Sequence, residues 1–274
     1  MNKEILFAIA RKDLKEVRQN RAAWIPAIVI PLVFVILIPL VIILIPNITD
    51  PATSPWMTEF ALSDLMQENI PALADKLTGF NERQTWIVLT TGYFFAPMIL
   101  IIPLMFSTIV GAESFVGEKE RKTIEALVFT PASDLELFAG KVIASVVPAI
   151  LLTWLSFFVY LMVVNIASWP VMGYPWFPPP AWWPLMFWLA PALATLGMAV
   201  SVLISARVNK FMEAYQLSGS LVILVLLLVV GQVTGVLYLN TGMSLLVGLL
   251  IWLLDIVLIK YAVKVFSRES LLSR

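Results

Sequence analysis

Apolar positions in this chain come in long uninterrupted runs, at about 24–46, 86–110, 142–168, 181–205, 217–239 and 243–266, separated by short polar stretches. A helix crossing a hydrocarbon core about 30 Å thick needs about 20 residues, and each run reaches that length. Barrel strands would be about ten residues with strict alternation. LVILVLLLVV at 221–230 shows no such alternation. The pattern therefore predicts an all-α integral membrane protein with six transmembrane helices in one domain over 1–274. Pro26, Pro31 and Pro39 in the first run are compatible with a span because neighbouring helices can re-satisfy the carbonyls a proline frees, and Pro97 and Pro103 are expected to kink the second.

The polar stretches carry the second pattern. Over 2–21, Leu6, Ala10, Leu14 and Val17 recur at helical spacing with Ile5 and Ile9 beside them, opposite Lys3, Arg11, Lys12, Lys15, Arg18 and Arg21. This predicts an interfacial helix on anionic membrane lipid, since the apolar stripe has no other evident core to meet. The 47–85 stretch is acidic and predicts an extracellular loop, with short helical pieces interrupted at Pro71. In SWPVMGYPWFPPPAWWP (168–184), proline sets an extended path. There Trp169, Trp176, Trp182 and Trp183 suit an interfacial aromatic belt. Apart from Lys76 and Arg83, every one of the 18 Lys and Arg residues falls on the side that holds 2–21, 111–141, the turn at Arg207 and the end of the sixth run. The positive-inside rule places that side, and with it both termini, in the cytoplasm.

Composition narrows the chemistry. The chain is 60% hydrophobic and 13% charged, with mean hydropathy +0.92 and no net charge. It has no cysteine and no histidine, which removes disulfides, thiolate nucleophiles, the usual zinc ligands and histidine acid–base catalysis. No cleavable signal is expected, because the first apolar run starts only near Trp24, with no small-residue cleavage site after it. Gly140-Lys141 is followed by Val142 and lacks the glycine five residues earlier that a phosphate-binding loop requires. The chain is therefore not expected to hydrolyse ATP. No metal, cofactor or nucleic acid is expected to bind it.

The segment 111–141, GAESFVGEKERKTIEALVFTPASDLELFAGK, holds ten charged residues between two apolar runs. Helix formers from Gly117 to Thr130, with apolar Ile124, Leu127 and Val128, predict a helix stopped at Pro131. Ser133 followed by Glu136 predicts a capping box that opens a second helix. On residues alone this is either a solvated loop held by the i,i+4 pairs Glu118–Lys122 and Arg121–Glu125, or a rigid helix–turn–helix that transmits motion. The ordered string Glu118, Glu120, Arg121, Lys122, Thr123, Glu125, Leu127, Pro131, Ser133, Glu136, Gly140 and Lys141 resembles the loop between the second and third spans of type-2 ABC transporter permeases. Many of those permeases carry a glycine before the threonine, where this chain has Lys122. Some relatives have re-entrant helices between the last two spans, for which Asn240 to Gly242 is too short.

The resemblance implies a coupling helix within 118–130 that docks on a separate ABC ATPase subunit, where ATP and Mg would bind. It also implies a second permease subunit, since six spans build half of such a pathway, and the cytoplasmic membrane of a prokaryote. A hydrophobic or amphipathic substrate is expected because few polar groups could line a path. The intramembrane polar candidates are Asp255, Asn165 and Gln232. Asp255 reads either as a proton or cation site, the centre of a gradient-driven transporter or channel, or as a structural group relieved by Asn165 or Lys260. A membrane anchor or sensor scaffold is the remaining reading. Gly231 and Gly235 fit small-residue helix packing.

Overall fold

A computed structural model describes residues 3–48, 73, 77–123 and 133–265. Among these residues the chain is helical without strands, and six helices are long and apolar enough to cross a membrane. Helix α1 is Lys3–Gln19, and the spans are α2 (Arg21–Ile45), α3 (Glu82–Glu120), α4 (Asp134–Met172), α5 (Trp182–Ser205), α6 (Phe211–Val233) and α7 (Thr241–Val265).

Helices α3 and α5 are the core. About three-quarters of the apolar window of α3 and two-thirds of that of α5 are buried, against a third or less in the other four. Small residues allow the approach: Gly197 of α5 lies against the Leu104 carbonyl, Ser107 and Thr108 of α3. Ser201 of α5 donates to the carbonyls of Gly197 and Thr108, and Ser145 of α4 donates to the Ser107 carbonyl. Such hydroxyls satisfy themselves while joining helices, the usual way polar groups are kept inside a membrane protein. The outer helices turn apolar residues outward, as in Leu151, Leu155, Phe158, Met162 and Ile166 along α4.

Helices α3 and α4 each have 39 residues, about 58 Å of ideal helix, so both outrun the hydrocarbon core. The excess reshapes the central charged segment: Gly111 to Glu120 prolong α3, and Asp134 to Lys141 open α4 behind the Ser133–Glu136 capping box. Span two starts earlier than Trp86 because Asn81 and Gln84 form a capping box of their own. Span five runs from Phe211 rather than Leu217. Phe211, Ala214 and Ser218 are buried, and Gly235, left-handed at φ 75°, lies beyond the helix end at Val233. Gly231 and Gly235 therefore do not form a helix-packing pair. The chain instead folds back so that the Leu237 N–H bonds the Gly231 carbonyl at 2.8 Å.

The tryptophan loop is only partly a belt. Trp169 and Trp183 are exposed, but Trp182 is fully buried, stacked on Phe157 and Tyr160, and Trp176 is half-buried with its indole N–H on Ser168. Asn165 explains the inward fold. Its oxygen accepts the N–H groups of Trp176 and Phe177, and its amide donates to the Phe177 carbonyl at 2.9 Å.

Candidate functional site

The apolar stripe of α1 does find a protein surface. Leu6, Ala10 and Val17 are buried, and α1 packs along the opening turns of α4 and the end of α3. Gly140 of α4 permits the contact, since a Cβ there would lie 2.9 Å from the Cβ of Ile9. A surface-lying helix with only lipid beneath it is thereby corrected for this inner face, which carries Asp13 as well as the apolar residues.

Beneath α1 sits a charge cluster built from three helices. Lys141 of α4 is fully buried, and its ammonium donates to the Ser114 carbonyl at 2.5 Å, the Ser114 hydroxyl at 3.2 Å and Glu118 at 2.7 Å. It also lies 3.5 Å from Asp13 and 5.3 Å from the centre of the Phe115 ring. Asp13 accepts from the Ser114 hydroxyl, and Lys12 closes on Glu118 from the solvent side. A buried lysine surrounded by two carboxylates and a carbonyl satisfies all three of its donors, the condition under which a buried charge is tolerated.

A second group lies beside it. Arg121 donates to Glu113 at 2.6 Å and to Glu16 at 2.8 Å, and Asn20 donates to Glu113 at 2.7 Å while capping α2. Glu120 accepts the Phe211 N–H at 2.8 Å, acting as an N-terminal cap of α6 supplied from α3, and Lys119 reaches the Val208 carbonyl. Asn20, Glu113, Glu120, Arg121, Lys210 and Phe211 line a cleft of about 420 Å³. The last turns of α3 thus hold α1, α2, α4 and α6 together at one end of the bundle.

Burial pushes the Asp13 carboxyl above the ordinary aspartate range, against the pull of Lys141, with Glu118 adding to the rise. For Lys12 burial acts downward, but its hydrogen bond and charge pairing with Glu118 hold it above the ordinary lysine value. Arg121 is likewise raised, burial being outweighed by its hydrogen bond to Glu113. Asp13, Glu16 and Glu118 converge closely enough to suggest a cation site, but the Lys141 ammonium already occupies the centre of that charge.

Of the two i,i+4 pairs of the solvated-loop reading, Glu118–Lys122 is replaced, and Arg121–Glu125 lies partly outside the described residues. Glu118 pairs with Lys141 and Lys12 instead of Lys122, and Arg121 pairs with Glu113 and Glu16. Glu118 is 2% exposed, so its carboxylate holds the cluster and is not presented to a docking partner. Glu120, Arg121, Lys122 and Thr123 are exposed. Glu125, Leu127 and Pro131, with the helix expected to run to Thr130, lie outside the described residues.

Helix α3 ends in a motif the sequence masks. The Thr123 N–H bonds the Glu118 carbonyl and the Lys122 N–H bonds that of Lys119, the paired bonds of a Schellman cap, with Lys122 at φ 56°. A left-handed residue is strained unless it is glycine. Lys122→Gly is expected to stabilise the protein by about 1 kcal/mol. The check is the unfolding midpoint in detergent, with an unchanged or lower value speaking against the cap.

The intramembrane candidates do not meet. Asn165 is committed to the tryptophan loop, and Gln232 donates to the Tyr93 carbonyl. Asp255 is 1% exposed on the face of α7 that also carries Ser244, Ile251 and Ala262, and neither carboxylate oxygen has a hydrogen-bond partner among the described residues. Neither Asn165 nor Lys260 relieves it.

Four spans around a closely packed pair, with a charge cluster gathered beneath an amphipathic helix at one end, make an all-helical membrane domain. The chain belongs to the family described as ABC-2 family transporter protein, whose family model matches residues 7–270. No curated protein and no solved structure matches it.

Proposed function

We propose that this permease is driven by a separate ABC ATPase that docks at the 118–141 end, which is cytoplasmic together with both termini. It exports a hydrophobic or amphipathic substrate from a prokaryotic cell through a pathway completed by a second permease subunit. The observation that carries the reading is the Lys141 cluster. It fastens both ends of the docking segment to each other and to α1, so a push on that segment moves α1, α3 and α4 as one body. The outer basic face of α1, with Arg11, Lys15 and Arg18, would rest on anionic lipid. A gradient-driven transporter has one observation in its favour, the unpartnered Asp255.

The test is capture of an ATPase by the affinity-tagged full chain from its own membranes. Wild type is expected to retain an ABC ATPase, and Glu125→Ala with Leu127→Ala to lose it without a change in unfolding midpoint. Absence of any ATPase from the wild-type preparation contradicts the proposal.

A further inference from the structure

The densest set of unused polar contacts lies at the opposite end of α3, where the helix breaks. Val88–Phe94 winds as a π-helix, Met98–Leu100 is 3₁₀, and regular α-helix resumes at Ile101. The hydrogen bonds account for the break residue by residue. The Phe95 N–H reaches back to the Thr90 carbonyl and the Ala96 N–H to that of Tyr93, so Thr91 and Gly92 lose their regular acceptor bonds. The regular donor to Tyr93 would be residue 97, a proline without an N–H.

Each of these consecutive carbonyls is met by a side chain from a different span. The Tyr160 hydroxyl of α4 donates to Thr91 at 2.7 Å. The Trp182 indole of α5 donates to Gly92 at 2.7 Å, and the Gln232 amide of α6 donates to Tyr93 at 2.5 Å. All three donors are at most 1% exposed. Gly92 also leaves room for Trp176, since a Cβ there would lie 3.0 Å from the Trp176 ring. The Gln232 oxygen has no partner among the described residues, so that side chain is held through its donor alone.

We infer that Tyr160, Trp182 and Gln232 are positioning residues that clasp the break in α3, and that this break is the hinge of the permease gate on the side opposite the Lys141 cluster. An unmet carbonyl in an apolar interior is costly, so the clasp has two discrete states, made and released. Because its donors come from α4, α5 and α6, release needs those spans to part from α3, the motion that opens a path between them. The gate role rests on the ATP-driven reading above; the clasp itself does not.

The absence of cysteine gives a clean probe. Thr91→Cys places a near-isosteric thiol at a fully buried position inside the break. The full chain, reconstituted in lipid vesicles without any partner, is labelled with a membrane-impermeant maleimide. Tyr160→Phe and Trp182→Phe are each expected to raise the labelling rate about tenfold, the effect of leaving one buried carbonyl unmet, and Gln232→Leu to raise it less, because the Tyr93 carbonyl keeps the Ala96 N–H. Tyr160→Phe keeps the ring stacking and removes one oxygen, so it tests the bond without threatening the fold. Unchanged rates in all three overturn the clasp. In the complex with a captured ATPase, ATP is expected to raise the wild-type labelling rate and to have little further effect on the three variants. A complex that hydrolyses ATP without changing the wild-type rate overturns the gate role. Failure to capture any ATPase counts against the proposed function and leaves the partner-free comparison to decide the clasp.

Discussion

Lys141→Met is expected to lower stability by about 3–5 kcal/mol, the cost of breaking a buried ion pair from one side. Methionine keeps most of the side chain's length and packing, so the effect is chiefly that of the charge. With the ammonium gone, Asp13 and Glu118 face each other across the Ser114 carbonyl with only Lys12 left to balance them, and both are at most 2% exposed. Lys12 is 42% exposed along its side chain and reaches Glu118 from the outer side only, so it restores part of the balance. Thermal unfolding in detergent measures the loss. Adding Glu118→Gln to Lys141→Met is expected to recover part of it, because one of the stranded charges is then removed. A Lys141→Met protein that unfolds with the wild type would show that the cluster holds nothing together.

The second large effect is expected at the core contact. Gly197→Ala would place a Cβ 2.9 Å from the Leu104 backbone oxygen and 3.1 Å from the Thr108 methyl, between the two most buried spans. Backbone cannot yield as a flexible side chain can, so α5 must shift off α3, at a cost of about 1–3 kcal/mol for this overpacking. Gly197→Val should be worse and fail to accumulate in membranes. Gly219→Ala is the control: nothing lies within 4 Å of its added Cβ, and the change is expected to be neutral or slightly stabilising. Unfolding midpoints of the variants check the ordering, and equal loss at Gly197 and Gly219 would contradict the packing argument.

What could be read from the sequence follows the range of the interactions. Span number came from run length, and the Ser133–Glu136 cap from two residues three apart, both local properties. The Lys141 cluster joins residues 13, 114, 118 and 141, and no spacing rule relates a position on α1 to one 128 residues later. Asp13 lies at helical spacing from Leu6, Ala10 and Val17, the one local sign that it points inward. Pro97 signalled a kink, but which spans would supply donors to the freed carbonyls depends on helix packing alone. Trp182 was misplaced at the interface for the same reason, since composition cannot separate a belt tryptophan from one that feeds its N–H to a broken helix. Asp255 is the converse case: its position in the sixth span was plain, whereas its lack of a partner is a property of α5 packing against α7.

The central claim, that this family member works as the driven membrane half of an ATP-powered exporter, is tested most directly by ATP turnover in proteoliposomes. The measurement compares the chain alone, its captured ATPase alone and the two together. The chain alone is expected to release no phosphate. The complex should hydrolyse ATP at a rate distinct from that of the free ATPase, and the Lys141→Met complex should fall back to the free rate. Identical turnover with and without the chain, or phosphate release by the chain on its own, would contradict the account.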